Sequence, residues 1–215
     1  MINALSPEEV QALLLSGNEP VREQFLASFG PGLHNFSMLM SRAFRQLQSI
    51  EERVPHEMRS AWTYQFLYVA FNNLFTAFHL LFSGLLVPAG NQMRQFAEAL
   101  AMALLCSHRA IDVFVRLQRD MERFPTHDAI RLVNKARNRS LLGIDAEGWK
   151  QFDEITRFYD AFSHSSILAV ASTHIFGTGG RQLGGEFDPA KFATYQREVS
   201  LCLSGAMRLL VVNHR

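Results

Sequence analysis

The sequence has few cysteines and almost no net charge, and each shortage excludes a class of protein. Cys106 and Cys202 are the only cysteines in 215 residues, and both have apolar neighbours in helical patterns. We therefore expect packed, reduced thiols and no disulfide framework. The formal charge of +1 lacks the broad positive potential of strongly basic nucleic-acid-binding proteins and leaves only a local basic patch for such contacts. A secretory signal pattern is also missing, so a cytoplasmic protein is expected.

Charged residues are missing altogether from a run of 34 residues, Ser60 to Met93. Within this run, residues 61–87 contain no proline and one glycine, which predicts a helix of about seven turns. The helix is apolar on nearly every side, so it is either a central core helix or a membrane span. Four polar residues along its middle, Gln65, Asn72, Asn73 and His79, would each need an internal partner in lipid. This requirement favours a buried core helix over a membrane span, so no membrane partner is expected. His79 is expected to be a hydrogen-bonded core histidine.

Proline and glycine divide the chain into helical segments. The Gly-Pro-Gly sequence at 30–32 is expected to separate a short helix from a longer one, and Pro88 to end the uncharged helix. The following helix is expected to continue as far as Pro125. Asp188, followed by proline, is a strong start signal for the last helix.

The segments define an all-α protein, since no convincing alternating strand pattern occurs. The predicted architecture is an up-and-down helical bundle formed by residues 56–215, with residues 1–55 as accessory N-terminal helices packed on it. The most buried positions should lie on the uncharged helix: Phe66, Leu67, Ala70, Leu74, Phe78 and Leu81.

One helix carries a polar arrangement suited to chemistry. Arg157, Asp160 and His164 follow each other at spacings of three and four and project in nearly one direction. An Asp one turn before a His can orient its imidazole, and an Arg on the same face can hold a phosphate. These groups are the minimum needed for metal-independent cleavage of RNA. The alternative is a solvated helix face whose Arg–Asp pair contributes roughly a few tenths of a kcal/mol.

The stretch RFYDAFSH, Arg157 to His164, resembles the R-x(4–6)-H motif of the HEPN superfamily, the higher eukaryote and prokaryote nucleotide-binding helical domains. The segment NQMRQFAEALAMALLCS, with Arg94 and Glu98, resembles a helix of uncharacterised bacterial HEPN-like proteins. The resemblance implies a homodimer and a metal-independent endoribonuclease of a defence or toxin system, or an RNA- or nucleotide-binding protein. His164 would then act on the 2′-hydroxyl, Arg157 would bind the phosphate and Asp160 would position His164.

Two further groups could complete such a site. Arg94 and Glu98 lie one helical turn apart, and they are either a paired structural bridge or part of the polar network around His164. Arg131 and Lys135 belong to a cluster of four basic residues that could steer an RNA backbone.

Metal and cofactor motifs are missing. There is no Glu-x-x-His pair, and the glycine-rich run GTGGRQLGG lacks the ending of a P-loop, so no metal and no cofactor are expected. Two functions therefore remain open. The protein is either a HEPN-type ribonuclease or a non-catalytic homodimeric interaction or structural module in which the same residues form a satisfied polar network.

Overall fold

The computed structural model describes residues 17–51, 57–111, 113, 135, 139–140, 142, 146–163, 174–175, 180–181 and 185–212. In this part of the chain the fold is all-α, as predicted. The helices are α1 (Glu19–Glu51), α2 (Met58–Phe82), α3 (Leu86–Ser107), α4 (Ala146–Ser163) and α5 (Phe192–Val212). A short antiparallel ladder pairs β1 (His174–Ile175) with β2 (Gly180–Arg181), with His174 opposite Arg181.

The helices form one bundle around a common core. α2 packs along α3, α5 packs on α1 and α2, and α4 packs on α3. Five of the six predicted core positions are buried, and Phe66 is partly buried against the same core. α1 contributes Phe25 and Phe36 to this core, while the division of the chain at residue 55 stays a prediction. The thiols of Cys106 and Cys202 are free and buried, which confirms the expectation for both.

The predicted end of the uncharged helix at Pro88 is wrong. α2 ends at Phe82, and the chain turns at Gly84, whose φ of 74° lies in the left-handed region. A Cβ at this position would overlap the backbone of Glu186, so glycine suits both the conformation and the close approach. Pro88 lies instead in the first turn of α3, where backbone N–H groups have no partner within the helix and a proline costs little.

The predicted break in α1 is present, but it is narrower than expected. Only Phe29 leaves the helical conformation (φ −130°, ψ 18°), and this kink separates a short helix from a longer one that already includes residues 30–32. The end of α3 differs from the prediction. α3 ends at Ser107 rather than near Pro125, and His108 is extended. The Arg59 guanidinium donates hydrogen bonds of 3.0 and 3.2 Å to the carbonyl oxygens of Cys106 and His108. A side chain from α2 thus satisfies carbonyls at the end of α3.

The last helix begins where the sequence predicts. The Asp188 carboxylate accepts a 2.9 Å hydrogen bond from the backbone N–H of Ala190, at the start of the 3-10 turn Pro189–Lys191 that leads into α5.

Candidate interaction site

The structure describes only part of the predicted catalytic set. Arg157 lies on α4 and is exposed. Asp160 lies on the same helix, but its side chain and the whole of His164 fall outside the described residues. The predicted arrangement of these three side chains therefore stays a prediction.

Arg94 and Glu98 form an ion pair within α3, with Nε and Oε1 3.0 Å apart. Their side chains are only 14% and 26% exposed. This pairing is the one that the structural-bridge interpretation requires, and the second interpretation, a place in the polar network around His164, stays a prediction because His164 lies outside the described residues. Each of these mostly buried charges would be costly to remove from water alone, and the ion pair offsets this desolvation cost.

The predicted basic cluster is only partly described. Arg131 lies outside the described residues, and Lys135 is exposed. Arg139, another member, donates two hydrogen bonds of 2.6 and 3.0 Å to the Asp153 carboxylate. Its guanidinium also lies over the ring of Trp149, 4.7 Å from the ring centre. Its charge is thus paired with a carboxylate in the folded protein.

The residues that follow Arg157 join α4 to α5. The Tyr159 hydroxyl donates a 2.7 Å hydrogen bond to the Glu198 carboxylate, and both side chains are buried. Burial raises the pKa of Glu198 to about 7, although the Tyr159 hydrogen bond and Arg197 oppose the shift. Beside this pair, the Arg197 guanidinium lies 3.9 Å from the centre of the Phe158 ring. These two side-chain contacts link α4 and α5.

A groove of about 580 Å³ runs along the outer side of the α1–α2 pair. Phe36 and Phe78 stack within it, with ring centres 3.9 Å apart. On its α2 side, Tyr68 and Phe75 remain 47% and 55% exposed. Large rings this accessible, side by side in a depression, are typical of surfaces that bind another molecule.

The exposed face of α2 has a regular spacing. Five of its residues follow each other at intervals of three, four, three and four, the repeat with which a helix packs against a partner helix. None of the five is Asp, Glu, Lys or Arg. We call this set the α2 stripe: Gln65, Tyr68, Asn72, Phe75 and His79, all of them exposed.

The ends of the groove differ in charge. At one end, Arg22 Nη2 lies 3.4 Å from both His79 Nε2 and Ser83 Oγ. At the other, the groove meets a second depression of about 340 Å³, which is lined by Glu51 among others and shares Phe44 and Tyr68 with the first. Among the described residues that line the two depressions, Arg22 and Glu51 are the only ones of the Asp, Glu, Lys and Arg types.

The prediction that His79 is a core histidine is therefore wrong. Its ring is exposed at the groove beside Arg22. The error has a physical cause, since a helix without charged residues need not be buried on every side. The polar residues at 65, 72 and 79 recur every seven positions and mark the accessible face.

Other kinds of site find no support within the described ranges. No group of three or more His, Cys, Asp or Glu side chains there is arranged to hold a metal ion. Among the helices described, none combines the length and the hydropathy needed to span a bilayer.

Comparison with family models, with curated proteins and with solved structures gives no match. The fold and the groove thus define an all-α helical bundle with an exposed aromatic helix face, the α2 stripe, that carries no Asp, Glu, Lys or Arg. The HEPN resemblance stays an expectation.

Proposed function

We propose that this protein is a non-catalytic interaction module that forms a homodimer by burying the α2 stripe. The observation that carries the proposal is the exposure of two large aromatic side chains, Tyr68 and Phe75, on a helix face without charged residues. Removing such rings from water is favourable, by about 25 cal/mol per Å² of apolar surface. A stripe without charges can also meet its own copy without repulsion.

Paired polar groups on the helices support the non-catalytic alternative. Arg94 is paired with Glu98 within α3, Arg139 with Asp153, and Tyr159 on α4 with Glu198 on α5. Groups that are engaged in this way are less available to a substrate.

The test of the interface compares two substitutions of equally exposed residues. Phe75→Glu places a charge in the α2 stripe, whereas Met207→Glu places one on α5, where Met207 is 52% exposed. Phe75→Glu should weaken self-association by roughly 100-fold or more, since each dimer contains the change twice and each copy buries a carboxylate. Met207→Glu should leave the mass in solution unchanged. Equal behaviour of the two variants would refute the proposed interface.

The ribonuclease expected from the HEPN resemblance remains a prediction, as do RNA or nucleotide binding and a cytoplasmic location. Cleavage of RNA without divalent metal, by the unmodified protein and by His164→Ala, decides between the two functions. The proposal expects equal and negligible cleavage by both. Cleavage by the unmodified protein that is lost in His164→Ala would replace it with the catalytic function.

A further inference from the structure

The side chains of the α2 stripe occur in nearly the same order in both directions. From Gln65 to His79 they are polar, aromatic, amide, aromatic and polar, and Asn72 lies seven residues from each end. We infer that two copies pair α2 against α2 in antiparallel orientation, with the two-fold axis at Asn72. This inference rests on the proposed homodimer and specifies how its subunits are arranged.

The antiparallel arrangement matches chemical types along the whole stripe. Tyr68 would pack against the partner's Phe75, so the aromatic rings bury one another. Gln65 would lie beside the partner's His79, where the two polar groups can form a hydrogen bond. Asn72 would meet its own copy at the axis. A carboxamide both donates and accepts, and an Asn within an apolar helix contact is known to fix the register of the two helices.

The charges at the ends of the groove favour this orientation. Arg22, whose Nη1 also pairs with Glu19 Oε1 at 3.3 Å, lies at the His79 end, and Glu51 lines the depression at the Tyr64 end. Antiparallel packing brings the Arg22 end of one copy to the Glu51 end of the other, twice per dimer. Parallel packing would instead bring the two Arg22 ends together and the two Glu51 ends together, with repulsion at both.

The length of the surface suits a helix-to-helix contact. The α2 stripe runs from Gln65 to His79, fourteen residues apart on α2, which corresponds to about 21 Å, or about four helical turns. The charged residues Glu23 and Arg42 are exposed on α1 but line neither depression, so they can serve as controls.

The orientation can be tested by disulfide cross-linking with single cysteines at the two ends of the stripe. Gln65→Cys and His79→Cys are prepared separately, mixed under mild oxidation and analysed for covalent dimers. The two natural cysteines are buried and should not react. We expect the mixture to form the Cys–Cys dimer, while each variant alone forms little. Glu23→Cys, which lies outside the depressions, serves as the negative control.

The outcomes separate this inference from the proposed function. If each variant cross-links with itself and the mixture gives no additional product, the helices are parallel and the inference is wrong, while the homodimer stands. If the unmodified protein is a dimer by mass but no variant cross-links above the Glu23→Cys control, the dimer uses another surface, and both the inference and the proposed α2 stripe interface are wrong. If the unmodified protein is a monomer, both the proposed function and the inference fail.

Discussion

Tyr159 on α4 donates a 2.7 Å hydrogen bond to Glu198 on α5, and the pair lies within the protein with both side chains almost fully buried. The second carboxyl oxygen of Glu198, Oε1, has no hydrogen-bond partner among the described residues. A buried carboxyl in this setting favours its neutral form, since ionisation would leave a charge in an apolar region.

The pKa of Glu198 predicts that the protein loses stability as the pH rises. Its pKa is raised from 4.5 to about 7, so the folded state keeps this proton at pH values where the unfolded state releases it. The stabilisation of the folded state by this proton is present in full below pH 4.5 and is lost as the pH rises through about 7. The shift in the pKa of Glu198 corresponds to about 3 kcal/mol of unfolding free energy.

Replacement of the carboxyl tests this prediction. Glu198→Gln keeps an acceptor for Tyr159 and removes the titration, so the decline in unfolding free energy between pH 5 and pH 8 should become smaller by roughly 2 to 3 kcal/mol. Urea denaturation at a series of pH values measures the change. Glu154→Gln, an exposed substitution on α4, should leave the pH profile as it is. A Glu198→Gln profile identical to that of the unmodified protein would mean that Glu198 is not the titrating group.

Two phenylalanines three positions apart on α2 should differ sharply in their contribution to stability. Phe78 is buried and stacks on Phe36, so Phe78→Ala should lower the unfolding free energy by about 3 to 5 kcal/mol. Phe75 is exposed, and Phe75→Ala should cost less than about 1 kcal/mol in protein dilute enough to be monomeric. Similar losses for both variants would contradict the assignment of the core and accessible faces of α2.

A pair of glycine substitutions tests the turn between α2 and α3. In Gly84→Ala, the alanine would have to adopt a left-handed φ, and its Cβ would overlap the backbone of Glu186. The substitution should therefore destabilise the protein by roughly 2 kcal/mol or more. Gly30→Ala has open space around the added Cβ and should be neutral or slightly stabilising. Thermal unfolding of both variants measures the difference. A Gly84→Ala protein as stable as Gly30→Ala would rule out the described turn.

The two ends of the groove can be tested by exchanging their charges. Arg22→Glu and Glu51→Arg should each weaken the dimer by roughly tenfold, because each introduces two like-charge contacts per dimer. The double variant and an equimolar mixture of the two single variants should both recover self-association, since opposite charges meet again in each case. Arg42→Glu and Glu23→Arg control for net charge. Failure of the double variant to recover would contradict the antiparallel arrangement.

Local patterns were sufficient to predict the described helices, apart from some of their ends, and most of the core. Leu67, Leu74 and Leu81 were expected to be buried and are buried, and the Asp-Pro signal located the start of α5. The break after α2 was misplaced, because the choice between Gly84 and Pro88 depends on the approach of Glu186, which is about 100 residues away. The contact between Tyr159 and Glu198 joins positions 39 residues apart, and no spacing within one helix can predict it.

The accessible surface was harder to predict than the core. A stretch without charged residues suggests burial within the chain. The same composition also suits a helix face that becomes buried only when two chains associate. The recurrence of Gln65, Asn72 and His79 at intervals of seven was the available signal for an exposed face. Its relation to Arg22 and Glu51 depends on how α1 packs beside α2, so the charge difference between the groove ends was not predictable from either helix alone.

The most direct test of the proposed homodimer is the mass of the unmodified protein in solution, measured by sedimentation equilibrium across a dilution series at micromolar concentration. The chain mass is 24.4 kDa. The proposal predicts twice this mass at the upper end of the series, falling toward the chain mass on dilution as the α2 stripe becomes exposed. A mass of 24.4 kDa throughout the series would contradict it.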